Sequence, residues 1–258
     1  MPWPVTDPVV VVPLLAASMA TGLGSLALVV TKGVRHRTHD SLLGFSAGIM
    51  LGVAALSLPP LWSEPAGIGV PGAVLGLSAG VALVAILARA FRRMPLPMPF
   101  VRNSAPIHPG TAFLLFVALA IHNAPEGIAT ALGYAGGLTP GGHSIALSIA
   151  VQNIPEGLLV SLAVFAETQS RKVAVAYCLV SGAVEPVAGI LALLLLSAVP
   201  AGLGIASAFA VGAMVAVVAL QMIPESHRHG HHIPATLALG VGFALVPLFG
   251  WLATSVAG

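Results

Sequence analysis

Eight stretches of the chain stay apolar for about twenty residues each, and this limits its folds more than any other feature. A bilayer core needs about 20 consecutive apolar residues per helix. Residues 9–31, 41–61, 68–90, 111–134, 143–166, 173–198, 204–223 and 233–256 supply them. Only 7% of the 258 residues are charged, against about 25% in soluble domains. So few charges cannot cover a water-facing surface, so the solvent for most of the chain is lipid. The expectation is an all-α integral membrane fold, with residues 1–258 forming a single membrane domain. Glycine and proline inside the runs do not count against helices, because membrane helices tolerate both. The N-terminal MPWPVTDP contains no Lys or Arg, so it lacks the basic leader of a cleavable signal peptide and the first run is expected to remain as a span. Cys178 is the single cysteine, which excludes an internal disulfide and a CxxC metal site.

With these spans every basic residue falls on one face. Lys32, Arg35 and Arg37 lie in or beside the first loop, and Arg89, Arg92, Arg93 and Arg102 in or beside the third. Arg171 and Lys172 are in the fifth, and Arg228 is in the seventh. The positive-inside rule then makes the odd loops cytoplasmic and places both termini outside, in a cell (inner) membrane topology. A net charge of +2 spread over short loops gives no nucleic-acid patch; the partners expected are metal ions and the lipid bilayer, and a homodimer is a compatible assembly. The proline-rich segment 91–110 reads as a cytoplasmic linker between spans three and four.

The spans also repeat. FSAGIMLGVAAL from Phe45 aligns with FAVGAMVAVVAL from Phe209, and LGLSAGVALV from Leu75 with LALGVGFALV from Leu237. Each pair runs in opposite directions across the membrane. Spans 1–3 and 6–8 therefore form an inverted repeat around a central pair, a 3+2+3 arrangement common among transporters that hold substrate near the midplane.

Two hexapeptides break the apolar pattern. HNAPEG, His122 to Gly127, lies in span four, and QNIPEG, Gln152 to Gly157, lies in span five. At 1.5 Å per residue His122 is roughly 16 Å into its span. Glu126 follows a turn later, and span five brings Gln152, Asn153 and Glu156 to the same level from the other side. Glu185 of span six and Met50 of span two reach similar depth. His122 and Glu126 share a helix face, and Asn123 is three residues from Glu126; Gln152, Asn153 and Glu156 repeat this spacing. Pro125, Pro155 and Pro186 each remove a backbone donor, freeing the carbonyls of Ile121, Val151 and Gly182. A charge at the bilayer centre costs about 2.5–3.5 kcal/mol on insertion scales, and no Lys or Arg lies at that depth. Either some of the carboxylates are protonated or something cationic compensates them; a divalent cation does this best, since carboxylate, imidazole and amide donors suit zinc, iron(II) or manganese.

The pattern HNAPEG, then QNIPEG, then Glu185-Pro186, in eight spans arranged three-two-three, resembles the ZIP (zinc/iron-permease-like) metal transporters, the short bacterial members most closely. LLGFSAGIML in span two and IPESHR after span seven extend the likeness. The resemblance implies a binuclear centre between spans four and five. His122, Gln152, Glu156 and Met50 match one metal position, and Asn123, Asn153 and Glu185 the other, with Glu126 and Glu156 bridging. It further implies uptake into the cytoplasm by movement of spans one, four, five and six against the rest, with zinc first and cadmium, iron or manganese as further substrates. Gln152 stands where many relatives carry histidine, Asn153 where some carry aspartate, and Ala219-Leu220-Gln221 where some place histidine and glutamate. These departures lower the charge and imidazole content of the site.

The loop ESHRHGHHIP adds His227, His229, His231 and His232 as candidates for cytoplasmic metal capture. Two other functions compete: conduction of protons or monovalent cations along the carboxylates, and a membrane di-metal enzyme. Di-iron helices use a Glu-x-x-His spacing that neither hexapeptide has, and HExxH is absent, so an enzyme is not expected.

Overall fold

The computed structural model describes residues 7–31, 33–58, 68–91, 111–135, 137–199 and 202–257. The linker expected over 91–110 lies, beyond Phe91, outside the described residues, and so do Lys32, Arg92, Arg93 and Arg102.

All regular structure among the described residues is helical. α1 (Pro8–Ser25) continues through a short 3-10 turn, Leu26–Val29. α2 (His36–Ser57), α3 (Gly69–Phe91), α4 (Thr111–Gly133) and α5 (Pro140–Thr168) follow. The sixth rod is divided into α6 (Arg171–Gly182) and α7 (Val184–Ala198) by Ala183. The seventh runs from α8 (Leu203–Val217) through a π-helical turn, Val218–Met222, into a last short turn, α9 (Ile223–Ser226). α10 covers His232–Ala257. Seven of these rods are long and apolar enough to cross a membrane. α4 is another, with 23 residues and Glu126 as its one charged side chain.

Local chemistry explains several boundaries. Asp7 caps α1 by accepting from the Val9 amide at 2.9 Å, with Pro8 in the first turn, where its missing N–H costs nothing. Thr139 does the same for α5 through the Gly142 amide at 2.9 Å, ahead of Pro140. α5 stops where Gln169 takes a left-handed conformation, φ 51°. Pro125 and Pro155 lie inside α4 and α5 without ending them. Pro186 acts differently. Its ring opposes the carbonyl four residues back, which belongs to Gly182, the last residue of α6.

The helices associate in four principal pairs: α2 with α10, α3 with α8, α1 with α5, and α4 with α7. Close backbone approach at glycines holds them, the small-residue packing expected where lipid offers no hydrophobic drive between helices. Gly44, Gly48 and Gly52 meet Ala235, Leu239 and Val246 in ascending order, so α2 and α10 run parallel.

The inverted repeat is visible in these contacts. Gly48 lies against the Leu239 carbonyl, and Gly212, its partner in the alignment, against that of Leu77, the partner of Leu239. Gly242 meets the Phe45 carbonyl as Gly80 meets that of Phe209. The relation extends to the other helices. Gly127 of α4 lies against Glu185, and Gly157 of α5 lies against Thr21. The chain step that carries Phe45 to Phe209 also carries Thr21 to Glu185.

A Cβ at Gly48 or Gly212 would meet a backbone carbonyl, whereas one at Gly240 on α10 would meet open space. Gly48→Ala and Gly212→Ala are expected to lose about 1–3 kcal/mol each, the usual cost of overpacking. Gly240→Ala is expected to lose none. Thermal unfolding of the detergent-solubilised variants measures all three.

Candidate metal centre

The two hexapeptides occupy the middle of the bundle because their helices do. α5 is the most enclosed of the seven rods, 67% of its apolar stretch being buried, against 17% for the peripheral α10. His122, Asn123, Glu126, Gln152, Asn153, Glu156 and Glu185 are all buried. Met50 is buried too, one turn along α2 from Ser46, whose hydroxyl donates to the Gln152 carbonyl at 3.2 Å.

The amide nitrogens are all engaged, with backbone carbonyls of the scaffold or with cluster carboxylates. Asn123 Nδ2 donates to the Ser181 carbonyl of α6 at 2.7 Å. Asn153 Nδ2 donates to the Ala17 carbonyl of α1 at 2.9 Å and to Glu185 Oε1 at 2.7 Å. Ala17 and Ser181 are related by the same repeat step as Thr21 and Glu185, so the two asparagines are anchored equivalently in the two halves. Gln152 Nε2 donates to Glu126 Oε1 across the α4–α5 contact. Each amide keeps its oxygen free.

These residues dominate the unsatisfied polar atoms. Twelve buried side-chain nitrogens and oxygens among the described residues lack a hydrogen-bond partner. Eight belong to this cluster: His122 Nε2, Asn123 Oδ1, Glu126 Oε2, Gln152 Oε1, Asn153 Oδ1, both oxygens of Glu156, and Glu185 Oε2. Leaving such a group unpaired costs about 1–3 kcal/mol, and more when it is charged. Among the described residues no Lys or Arg forms an ion pair with these carboxylates; the only such pair, Arg228 with Glu225, is at the surface. All eight atoms can act as electron-pair donors to a cation.

A cavity of about 410 Å³ connects the cluster to one end of the bundle. His122 and Glu156 line its inner end, and His36, His39, Glu225 and His229 its outer end. The loop histidines divide in role. His227 is engaged at both nitrogens, Nδ1 with the Ile223 carbonyl and Ser226 Oγ at 2.9 Å and Nε2 with Thr236 Oγ1 at 3.1 Å. His232 stacks on it, ring centroids 5.4 Å apart. His229 and His231 instead turn toward Asp40, at 2.8 and 3.1 Å.

The structure adds residues that the sequence reading did not single out as site residues. Ser46 joins α2 to the cluster. Thr21, the repeat counterpart of Glu185, is buried with its hydroxyl unpartnered. Gln221, in the π-helical turn, has an unpartnered Nε2. Asp40 is wholly buried. Extending the repeat to spans one and six would have found Thr21, and the HRTHD sequence was the available signal for Asp40.

Fold and site together define a multi-pass membrane protein whose two inverted halves enclose a buried cluster of carboxylate, imidazole and amide donors. The family description "ZIP Zinc transporter" matches residues 103–250. The zinc transporter GufA of Myxococcus xanthus is 38% identical over 90% of this chain and 93% of its own. The zinc transporter ZIPB of Bordetella bronchiseptica is 34% identical over 90% of this chain and 77% of its own. The zinc transporter ZupT of Corynebacterium glutamicum is 33% identical over 91% and 95%. The chain belongs to the ZIP zinc transporter family, among transport proteins and not enzymes.

Asn153→Ala would strip partners from Glu185 Oε1 and the Ala17 carbonyl. A loss of about 1–3 kcal/mol is expected, against less than about 0.5 kcal/mol for Ser197→Ala, whose exposed hydroxyl reaches only the Leu194 carbonyl. Melting of the metal-free variants in detergent checks the difference.

Proposed function

We propose that the protein moves a divalent metal ion, zinc foremost, through the mid-membrane cluster and releases it into the cytoplasm. One observation carries this reading: eight buried donor atoms without hydrogen-bond partners lie together where, among the described residues, no Lys or Arg compensates three carboxylates. The names of the relatives bring zinc to the front. Cadmium, iron(II) and manganese suit the same donors and are proposed as secondary substrates.

The proposed ligands follow the family pattern. His122, Gln152, Glu156 and Met50 serve one position, Asn123, Asn153 and Glu185 a second, with Glu126 and Glu156 between them. The second position offers two amide oxygens and one carboxylate of its own, a weaker set for zinc than imidazole or thiolate. The first is the principal binding position. The positive-inside rule puts both termini outside and makes the open end of the cavity, near Arg35, Arg37 and Arg228, the cytoplasmic end. That arrangement supports uptake across the cell membrane.

Purified protein in liposomes is expected to pass zinc or cadmium to a trapped fluorescent indicator, and Glu156→Ala to lose that flux. Undiminished flux in the variant rejects the assigned role, and a proton or potassium current without metal movement favours simple cation conduction. Protons compete with metal for carboxylate and imidazole donors. Binding is therefore expected to be strong near neutral pH and to weaken as pH falls below about 5, where ordinary carboxylates take up protons. Zinc titrations at a series of pH values check this.

A further inference from the structure

Asp40 is the one buried carboxylate outside the mid-membrane cluster among the described residues. It lies in the first turns of α2, and its surroundings are unusual for a structural acid. Three imidazoles turn Nδ1 toward it: His39 at 3.2 Å and His229 at 2.8 Å on Oδ1, and His231 at 3.1 Å on Oδ2. No Lys or Arg pairs with it among the described residues. The ligating atoms of His39, Asp40 and His229 lie within 4.8 Å of one another.

We propose that Asp40, His39, His229 and His231 form a second metal site, separate from the mid-membrane centre, that binds a zinc-class divalent ion at the cytoplasmic mouth of the cavity. His39, Asp40 and His229 bring three ligand atoms within reach of one ion, and His231, on the other carboxylate oxygen, would complete the four of a zinc site by a small turn of its ring. They come from two chain segments, the start of α2 and the loop before α10, so an ion here ties those segments together. The alternative is a metal-free cap in which three N–H groups donate to one carboxylate. A cap of that kind needs no imidazoles, because serine, amide or backbone donors would satisfy the acid equally.

Access suits exchange with the cytoplasm. The Asp40 carboxylate is sealed, but the side chains of His39, His229 and His231 are 26%, 27% and 36% exposed. On binding, each ring gives up the Nδ1 proton and carries one at Nε2, with water as the exchange partner. His39 and His229 also line the cavity that His122 and Glu156 close at its inner end, and His36 stacks on His229 with centroids 4.1 Å apart. An ion leaving the mid-membrane centre thus meets this site before open solvent. Its placement on the release path rests on the transport reading, but the binding itself does not.

The test uses the full chain in detergent, stripped of metal, with the mid-membrane centre disabled by Glu126→Gln and Glu156→Gln. Cobalt(II) is the probe, because four-coordinate cobalt gives an intense visible absorption band. One equivalent is expected to bind with that band. Adding His231→Gln or His229→Gln is expected to weaken binding by more than about tenfold, the scale at which even supporting groups act. Asp40→Asn is expected to abolish it, and the two histidine variants keep the test valid if that change impairs folding. Absence of cobalt binding in the disabled background overturns the second site and leaves the transport reading intact. Binding that survives His229→Gln and His231→Gln together overturns the ligand assignment. Full cobalt binding here alongside unchanged liposome flux in Glu156→Ala would sustain this site while rejecting the transport reading.

Discussion

Glu126, Glu156 and Glu185 are buried in the middle of the bundle without a basic partner among the described residues, and much of the central architecture follows from that. In lipid such acids are expensive, so the structure around them has to hold the donors in place while leaving some of their oxygens free. Gln152 and Asn153 donate to one oxygen of Glu126 and of Glu185, respectively, and leave the other unpartnered. Asn123 and Asn153 spend their N–H groups on backbone carbonyls of α6 and α1, which fixes the side chains and leaves each oxygen unpartnered. Backbone carbonyls suit this purpose, because they do not rotate away as a hydroxyl would.

The two halves are related closely enough that equivalent glycines meet equivalent carbonyls, yet the site they enclose is lopsided. Glu185 has Thr21 as its repeat counterpart, and His122 has Gln152. One half therefore brings the imidazole, through α4, together with the additional acid. The scaffold keeps the symmetry because glycine-mediated packing tolerates little change: a Cβ at Gly48, Gly127, Gly157 or Gly212 would run into backbone. The donors are freer to diverge, since each needs only to reach a shared space. Symmetric framework and asymmetric chemistry answer to different physical limits.

The eight long runs were legible along the chain because the bilayer demands about 20 apolar residues per crossing. So were HNAPEG, QNIPEG and Glu185, since a polar group at that depth requires a reason. The division of the sixth rod at Ala183 was half legible: Pro186 announces a lost hydrogen bond, but α4 and α5 absorb the same loss at Pro125 and Pro155 without breaking. The extension of the seventh rod through a π-helical turn to Ser226 had no periodic signal, because its residues look equally apolar in either register.

The sequence by itself determined that this is a membrane protein of inverted three-two-three order with carboxylates held at mid-depth, because burying charge and crossing lipid each leave a mark on residue order. Only the tertiary structure decided which helices touch, which atom of each amide is left free, and that His229 comes to rest on Asp40, 189 positions away. Apolar helices in lipid look alike from every side. Their partners are chosen by the close fit of small residues and carbonyls in three dimensions, and linear order does not record that fit.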